Sequence, residues 1–335
     1  MLYCRNNAPQ TIPKGRQPMN YILLDLEWNQ CPTGKQDENP ALPFEIVEIG
    51  AIKLNDARED IGHFSELIRP TLYTRLHFRT QEMLHIPAAE LNRSRLFPEV
   101  FADFIAWCGE DYRFCTWGSM DLTELQRNID YHHIENPLPL PLFFFDVQKL
   151  FSLLYEDGKS RKSLEYAVEY LKLEKPRVFH RAFDDTWYTA LIMQKMNLEL
   201  VKDYASVDYY RPPRSREEEI YMQFPRYSKF VSMPFTSKEE VMADKVVTAT
   251  RCYQCGKMLR KKIRWFAGNS NSKVYYCLCI CPSHGYLKGK IRLKKGADNC
   301  VFAVRTLKLV NEEEAAVIME KQDAVRASRR KKKHR

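Results

Sequence analysis

Apolar residues recur along residues 20–200 with the periods of strands and helices. Strand-like alternation or short apolar runs occupy residues 21–29, 45–52, 64–68, 113–117 and 142–146. Helical periodicity occupies residues 97–107, 122–132, 147–155, 163–171 and 184–196. This order of strands and helices predicts an α/β domain over residues 20–200, with a mixed sheet flanked by helices.

The pattern changes after residue 200. Residues 201–247 combine Pro, Arg and Glu with spaced aromatic residues, which predicts a linker with room for one short helix. Residues 248–310 contain basic, strand-like runs and predict a smaller second domain. In residues 311–335 we expect a helix followed by a disordered basic tail, and residues 1–19 are expected to form a flexible leader.

Composition is that of an ordinary globular protein. The 335 residues, 44% of them hydrophobic, suffice for one substantial core and a smaller module. No run approaches the ~18 apolar residues that a membrane span needs. Residues 1–20 lack the apolar core of a signal peptide. We therefore expect a cytoplasmic protein without a membrane partner, and its oligomeric state stays open.

Charge is divided unevenly along the chain. Residues 246–310 hold fourteen Lys and Arg against one acid, and the last ten residues add seven more. These two segments contribute +13 and +7 to a net charge of +9, so the remainder carries −11. The division predicts that the C-terminal third binds nucleic acid, because clustered cations neutralise phosphates.

The first predicted strand carries two acids at alternate positions, Asp25 and Glu27. Side chains repeat every second residue on a strand, so both carboxylates would project from one face. Burying them is costly unless a cation neutralises them, which indicates half of a divalent-metal site. The alternative is a strand end with two solvated acids.

Two later segments supply further candidates. Residues 116–121 read Thr-Trp-Gly-Ser-Met-Asp and bring Asp121 to a helix start, where an Asp is also a good cap. Residues 180–185 read His-Arg-Ala-Phe-Asp-Asp and open the next helical segment. The alternative there is that Asp184 or Asp185 caps the helix and that His180 is a loop histidine.

The order and separation of these residues resemble the DEDDh 3′–5′ exonuclease family of the RNase T/DnaQ superfamily. Its pattern is Asp-x-Glu, a distant Asp, and His-x(4)-Asp, here Asp25, Glu27, Asp121, His180 and Asp185. The resemblance covers residues 20–198. The Pro-Phe-Glu-Ile-Val-Glu-Ile-Gly run and the Trp-Gly-Ser-x-Asp motif are similar to the Eri-type and KapD-like branch. The resemblance to this family implies a ribonuclease H-like fold.

The resemblance also implies a two-metal hydrolytic site. Four carboxylates suit two Mg²⁺ or Mn²⁺ ions. Asp25 is expected to bridge the ions, with Glu27 and Asp185 on one and Asp121 on the other. His180 is expected to deprotonate the attacking water, because imidazole changes charge near neutral pH.

In relatives, the segment that corresponds to residues 79–87 packs against the terminal nucleotide. Leu84 and His85 are therefore candidate substrate contacts. The alternative is an ordinary junction between a helix and a loop, with a packed leucine.

The cysteines cluster in the C-terminal third. Cys252-x-x-Cys255-Gly and Cys281-x-x-His284-Gly are two tight turns, each with the spacing that offers two ligands to tetrahedral zinc. Their separation resembles a zinc ribbon, and we expect structural Zn²⁺ there. Cys277 or Cys279 could replace one of the second pair, and free buried cysteines are the alternative.

These features together predict a metal-dependent 3′–5′ exonuclease that releases 5′-mononucleotides from single-stranded or overhanging ends. RNA is slightly favoured over DNA as the substrate. A nucleic-acid-binding adaptor with a vestigial exonuclease domain is the alternative function.

Overall fold

The computed structural model describes residues 19–84, 86–269, 271–296 and 299–333. These residues divide into two units, with the boundary between Tyr210 and Arg211. Within the described residues, none of the helices combines the length and the apolar content that a membrane crossing requires.

The first unit is an α/β domain. Its strands are β1 Asn20–Gln30, β2 Phe44–Leu54, β3 Asp60–Leu67, β4 Tyr112–Thr116, β5 Phe143–Asp146 and β6 Ser206–Val207. Its helices are α1 Phe78–Leu84, α2 Ala88–Leu91, α3 Phe97–Cys108, α4 Met120–Tyr131, α5 Val147–Tyr155, α6 Leu164–Tyr170 and α7 Ala182–Lys195. Short 3₁₀ turns lie at Lys35–Asp37, Leu198–Leu200 and Lys202–Tyr204.

The sheet of the first unit has the strand order β3-β2-β1-β4-β5-β6. The first three strands form an antiparallel meander, and β4 and β5 then run parallel to β1. Strand β1 lies in the middle of the sheet and is buried on both sides, which explains its nearly continuous apolar sequence. The predicted ribonuclease H-like mixed sheet with flanking helices is confirmed.

Helix α7 crosses the sheet in direct contact with β2. A Cβ atom at Gly50 would lie 2.2 Å from the backbone carbonyl carbon of Ala182, so only glycine permits this approach. The Thr186 hydroxyl donates a hydrogen bond to the Gly50 carbonyl oxygen over 2.9 Å. The start of α7 is therefore fixed against the middle of β2.

The second unit is built on an antiparallel sheet. Its strands are β7 Ile220–Gln223, β8 Tyr227–Val231, β9 Lys261–Ala267, β10 Val274–Cys281, β11 Gly285–Lys295 and β12 Val301–Val310, in the order β7-β8-β12-β11-β10-β9. Its helices are α8 Lys238–Ala243 and α9 Glu312–Lys333. Apolar residues of α8 and α9 contribute to separate hydrophobic clusters of this unit.

Two expectations for the C-terminal part were wrong. Residues 201–247 are not only a linker, because β7 and β8 pair with the second sheet and α8 packs its Val241 into the core. The Pro and spaced aromatic residues of this segment made the alternation of two short strands hard to recognise. Helix α9 continues to Lys333, through most of the expected disordered tail. The predicted leader lies almost wholly outside the described residues.

Candidate active site and cysteine–histidine cluster

Three carboxylates from distant parts of the sequence meet beside β1. In the register between β1 and β2, Asp25 lies opposite Gly50, the residue against which α7 packs. The first turn of α7 brings Asp185 to the same place. One carboxylate oxygen from each of Asp25, Glu27 and Asp185 lies within 4.8 Å of the other two.

A buried oxygen of Asp185 lacks a hydrogen-bond partner among the described residues. The Oδ1 atom of Asp185 is buried and receives no hydrogen bond from the described residues. Its Oδ2 atom accepts a hydrogen bond from the backbone N–H of His180 over 3.2 Å. A buried carboxylate oxygen without a donor is costly, and a bound cation would satisfy it. The donor set therefore fits a hard divalent cation.

Burial and crowding shift the protonation of the cluster. Burial, and then the charges of Asp121 and Glu27, raise the pKa of Asp25 well above its usual range. Burial, and then the charges of Asp185 and Glu48, raise the pKa of Glu27 to about 8. Burial raises the pKa of Asp185 to about 7. At neutral pH the cluster therefore holds protons that a cation would displace.

Asp121 lies beside these three residues, at the start of α4. It is buried, and its Oδ1 accepts a hydrogen bond from the backbone N–H of Leu26 over 3.3 Å. Burial raises its pKa to about 7. The N-cap residue of α4 is Ser119 and not Asp121, and the Ser119 side chain makes no capping hydrogen bond. The structure thus places all four predicted carboxylates in one region, with three of them in the tight group.

His180 precedes α7 on an exposed loop. Its φ of 69° lies in the left-handed region, which is uncommon for a residue with a side chain. Asp184, the neighbour of Asp185, instead pairs with Arg177 over 2.6 Å. The two adjacent acids therefore have different surroundings, and only Asp185 joins the cluster.

Comparison with known proteins places this site in a nuclease context. Residues 33–193 match the family model described as exonuclease. The match includes Asp121, His180 and Asp185, and it begins after β1, so Asp25 and Glu27 precede it. The human protein 3′-5′ exoribonuclease 1 is 24% identical over 187 residues, which are 53% of this chain and 52% of that protein.

Residues 33–193 therefore correspond to an exonuclease domain. The chain spans about half the length of the human relative. A crystal structure of a full-length 3′-exonuclease has a TM-score of 0.48 and 21% identity, covering 55% of this chain and 84% of the other. Exonuclease I of E. coli in complex with a dA16 oligonucleotide has a TM-score of 0.48 and 13% identity, covering 93% and 71%.

Sequence reasoning missed a fifth carboxylate beside the cluster, Glu48. It is 1% exposed and lies opposite Glu27 in the register of β1 and β2. The Arg181 guanidinium donates to both of its oxygens, with Nε and Nη2 at 3.0–3.2 Å. The backbone N–H of Ala182 donates to the same carboxylate. Glu48 thus holds the residue between His180 and the start of α7. An acid within an apolar strand, the signal used for Asp25, would have found it.

The predicted substrate contacts are not supported by the described structure. Leu84 is 2% exposed and packs with Val47, Ile86 and Leu91, as the alternative of a packed leucine requires, and its contact with a nucleotide stays a prediction. Leu84 lies at the end of the short helix α1, and its apolar side chain packs into a hydrophobic cluster. His85 lies outside the described residues.

The second unit brings together the four predicted zinc ligands. Their ligand atoms all lie within 4.8 Å of one another: Cys252, Cys255, Cys281 and His284. The sulfurs of Cys255 and Cys281 are 3.7 Å apart, and Nδ1 of His284 is 3.5 Å from the Cys281 sulfur. Tetrahedral zinc with Zn–S bonds of about 2.3 Å would separate two sulfurs by about 3.8 Å. The geometry therefore fits zinc and is far too open for a disulfide.

Cys277 and Cys279 stay outside this group of four. A Cβ atom at Gly289 would lie 2.4 Å from the Cys277 sulfur, which shows how closely this thiol packs against β11. Burial raises the pKa of Cys277 far above its usual range. For Cys281, burial acts upward, but hydrogen bonds from His284 and the Ser283 backbone lower the pKa to about 6. The Cys281 thiol therefore ionises more readily than the Cys277 thiol.

Proposed function

We propose that this protein is a metal-dependent 3′–5′ exonuclease that releases 5′-mononucleotides from single-stranded or overhanging ends. The observation that carries the proposal is the convergence of Asp25, Glu27 and Asp185, with a buried Asp185 oxygen that lacks a donor. The exonuclease family match and the exposed His180 beside this cluster support it.

The carboxylates would hold two Mg²⁺ or Mn²⁺ ions, with Asp121 as the fourth acid. When bound, such ions activate water and neutralise charge on the leaving oxygen. The chain supplies a fixed set of oxygens, since β1, α4 and α7 are all held by the core. The imidazole of His180 would take the proton from the attacking water, and its exposed loop lets it reach a substrate.

RNA is the substrate we favour, because the human relative is an exoribonuclease. The second unit would hold structural Zn²⁺ through Cys252, Cys255, Cys281 and His284. Its cationic composition would contribute to binding of the nucleic acid.

The direct test compares 3′-free and 3′-blocked oligonucleotides of RNA and DNA. We expect mononucleotide release in Mg²⁺ or Mn²⁺ from 3′-free ends alone, with faster turnover of RNA. Binding without any release, in protein whose metals are verified, would instead identify the adaptor with a vestigial nuclease domain. Release from 3′-blocked ends would contradict the proposed direction.

His180→Ala tests the proton acceptor. We expect kcat to fall by roughly 10²–10⁴, the range for loss of a general base, while substrate binding is kept. Higher pH should partly restore the variant's rate, because hydroxide replaces the missing base. An unchanged rate and pH profile would remove His180 from the mechanism.

A further inference from the structure

A stripe of cations follows one face of β11. Buried Leu287, Gly289, Ile291 and Leu293 alternate with residues of the opposite face. The basic stripe is defined here as Lys288, Lys290 and Arg292, which occupy that opposite face at every second position. Because a strand rises about 3.4 Å per residue, their Cα atoms follow one another at about 6.8 Å.

Neighbouring elements extend the positive charge of the basic stripe. Lys290 lies opposite Tyr276 of β10, and its Nζ is 5.8 Å from the centre of that ring. The Nζ of Lys321, from α9, lies 4.2 Å from the same centre. Two ammonium groups from different elements thus lie near the same aromatic ring.

Burial and the neighbouring cations both disfavour the charged form of Lys290. Burial, and then the charges of Arg292, Lys288 and Lys321, lower the pKa of Lys290. On the same face, the charge of Lys308 is partly offset by Glu314, which lies 3.5 Å away. The stripe keeps like charges together at a cost that a bound anion would relieve.

We propose that Lys288, Lys290 and Arg292, together with Lys321, form a binding track for the phosphate backbone of single-stranded nucleic acid. Successive phosphates of an extended single strand are spaced much as alternate residues of a β-strand are. A row of cations at that spacing can meet several phosphates at once, which a scattered cationic surface cannot do. The proposal rests on the proposed function for the identity of the nucleic acid.

The test measures binding separately from hydrolysis. The full chain, with Asp25→Asn to prevent turnover, is titrated onto a long, labelled single-stranded RNA by fluorescence anisotropy at several salt concentrations. The stripe variant is Lys288→Gln, Lys290→Gln and Arg292→Gln together. We expect its plot of log K against log salt to become shallower by about 2, since each lost contact removes about 0.7. Affinity near 0.1 M salt should fall by about 100-fold.

The matched control removes the same charge from another part of the second unit. It is the combination of Lys257→Gln, Arg260→Gln and Arg264→Gln, whose side chains are exposed. We expect its salt slope to stay close to that of the parent. Equal losses for the two triple variants, or no loss for the stripe variant, would overturn the proposal.

A single change on a different element guards against misfolding of the strand. Lys321→Gln on α9 should make the salt slope shallower by about 0.7, and an unchanged slope would argue against the track.

Hydrolysis of a short substrate distinguishes failure of the binding track from failure of the proposed nuclease activity. In the active protein, the stripe variant should hydrolyse a dinucleotide at the parent rate, and absence of hydrolysis in both would reject the activity alone.

Discussion

The two clusters that could hold metal ions are assembled in opposite ways. In the first unit, Asp25, Glu27 and Asp185 come from a strand and a helix far apart in sequence, and their charges repel one another. In the second unit, two tight turns supply all four groups, which hydrogen-bond to each other. Cys252 and Cys281 also belong to a hydrophobic cluster.

The two clusters should therefore contribute differently to the stability of the fold and to activity. Without a bound cation, repulsion among the carboxylates destabilises the fold. Replacing one of the carboxylates should therefore relieve the repulsion and remove activity. The cysteines and histidine join the two turns, so loss of one should weaken the fold of its unit. The predictions below test whether the two clusters behave in these opposite ways.

Asp185→Asn should have the largest effect on activity. The amide keeps the shape of the side chain but removes a ligand charge, so we expect turnover to fall by at least about 10⁴-fold. The melting temperature of the domain without added divalent metal should not decrease, because repulsion is reduced. Initial rates in Mg²⁺ and differential scanning calorimetry measure the two effects.

Asp184→Asn is the matched control, since this neighbouring acid pairs with Arg177 outside the cluster. Its rate should stay within about threefold of the parent. If Asp185→Asn retained near-normal turnover, or if the two variants behaved alike, the assignment of the cluster would be wrong.

Cys255→Ser should have the opposite profile. We expect loss of a tightly held Zn²⁺ and a lower melting temperature for the second unit, because one of four ligands is removed. Hydrolysis of a dinucleotide should continue. Cys300→Ser, outside the group of four, should keep its zinc, as measured by elemental analysis. Parent protein that contained no zinc when purified without chelators would contradict the prediction.

The sequence predicted the two clusters unequally well. Local spacing defined both cysteine turns, but only the fold could choose between Cys281 and the nearby Cys277, which packs against Gly289. The apolar run of β1 predicted a buried strand because both of its faces are covered. Strands β7 and β8 were missed, since they are short and their pairing depends on the distant β12.

The ion pair of Glu48 with Arg181 shows what spacing cannot reveal. The two residues are 133 positions apart, and they meet because Gly50 lets α7 approach β2. The pair places a positive and a negative charge next to the carboxylate cluster. Its contribution can be measured by removing either charge.

Glu48→Gln should weaken binding of Mn²⁺ by about 10–100-fold, the usual cost of losing a residue that supports metal ligands. The guanidinium of Arg181 would remain near the ligands without its counter-charge. Arg181→Met should change affinity in the opposite direction, because an uncompensated carboxylate remains. The double variant should lie between them. Arg177→Met, which disrupts the pair with Asp184, is the control. Mn²⁺ titration followed by electron paramagnetic resonance requires no turnover, and shifts of the same sign in both single variants would contradict this account.

The smallest expected effect is a loss of stability with rising pH in the first unit, imposed by its carboxylate cluster. The folded pKa values of Glu27 and Asp185, about 8 and about 7, lie above the values near 4 of unfolded carboxyls. The folded state therefore keeps protons that the unfolded chain has released, and this stability is complete below about pH 4 and lost as pH rises through about 7–8. Without added divalent metal, the melting temperature of the first unit should fall between pH 5 and pH 8 as these protons are released. Mg²⁺ should raise it more at pH 8 than at pH 5, because ionised carboxylates bind the ion. Combining Glu27→Gln with Asp185→Asn should flatten the dependence. If the metal-free melting temperature stayed constant or rose over this range, burial of the acids would not be the feature that distinguishes the two clusters.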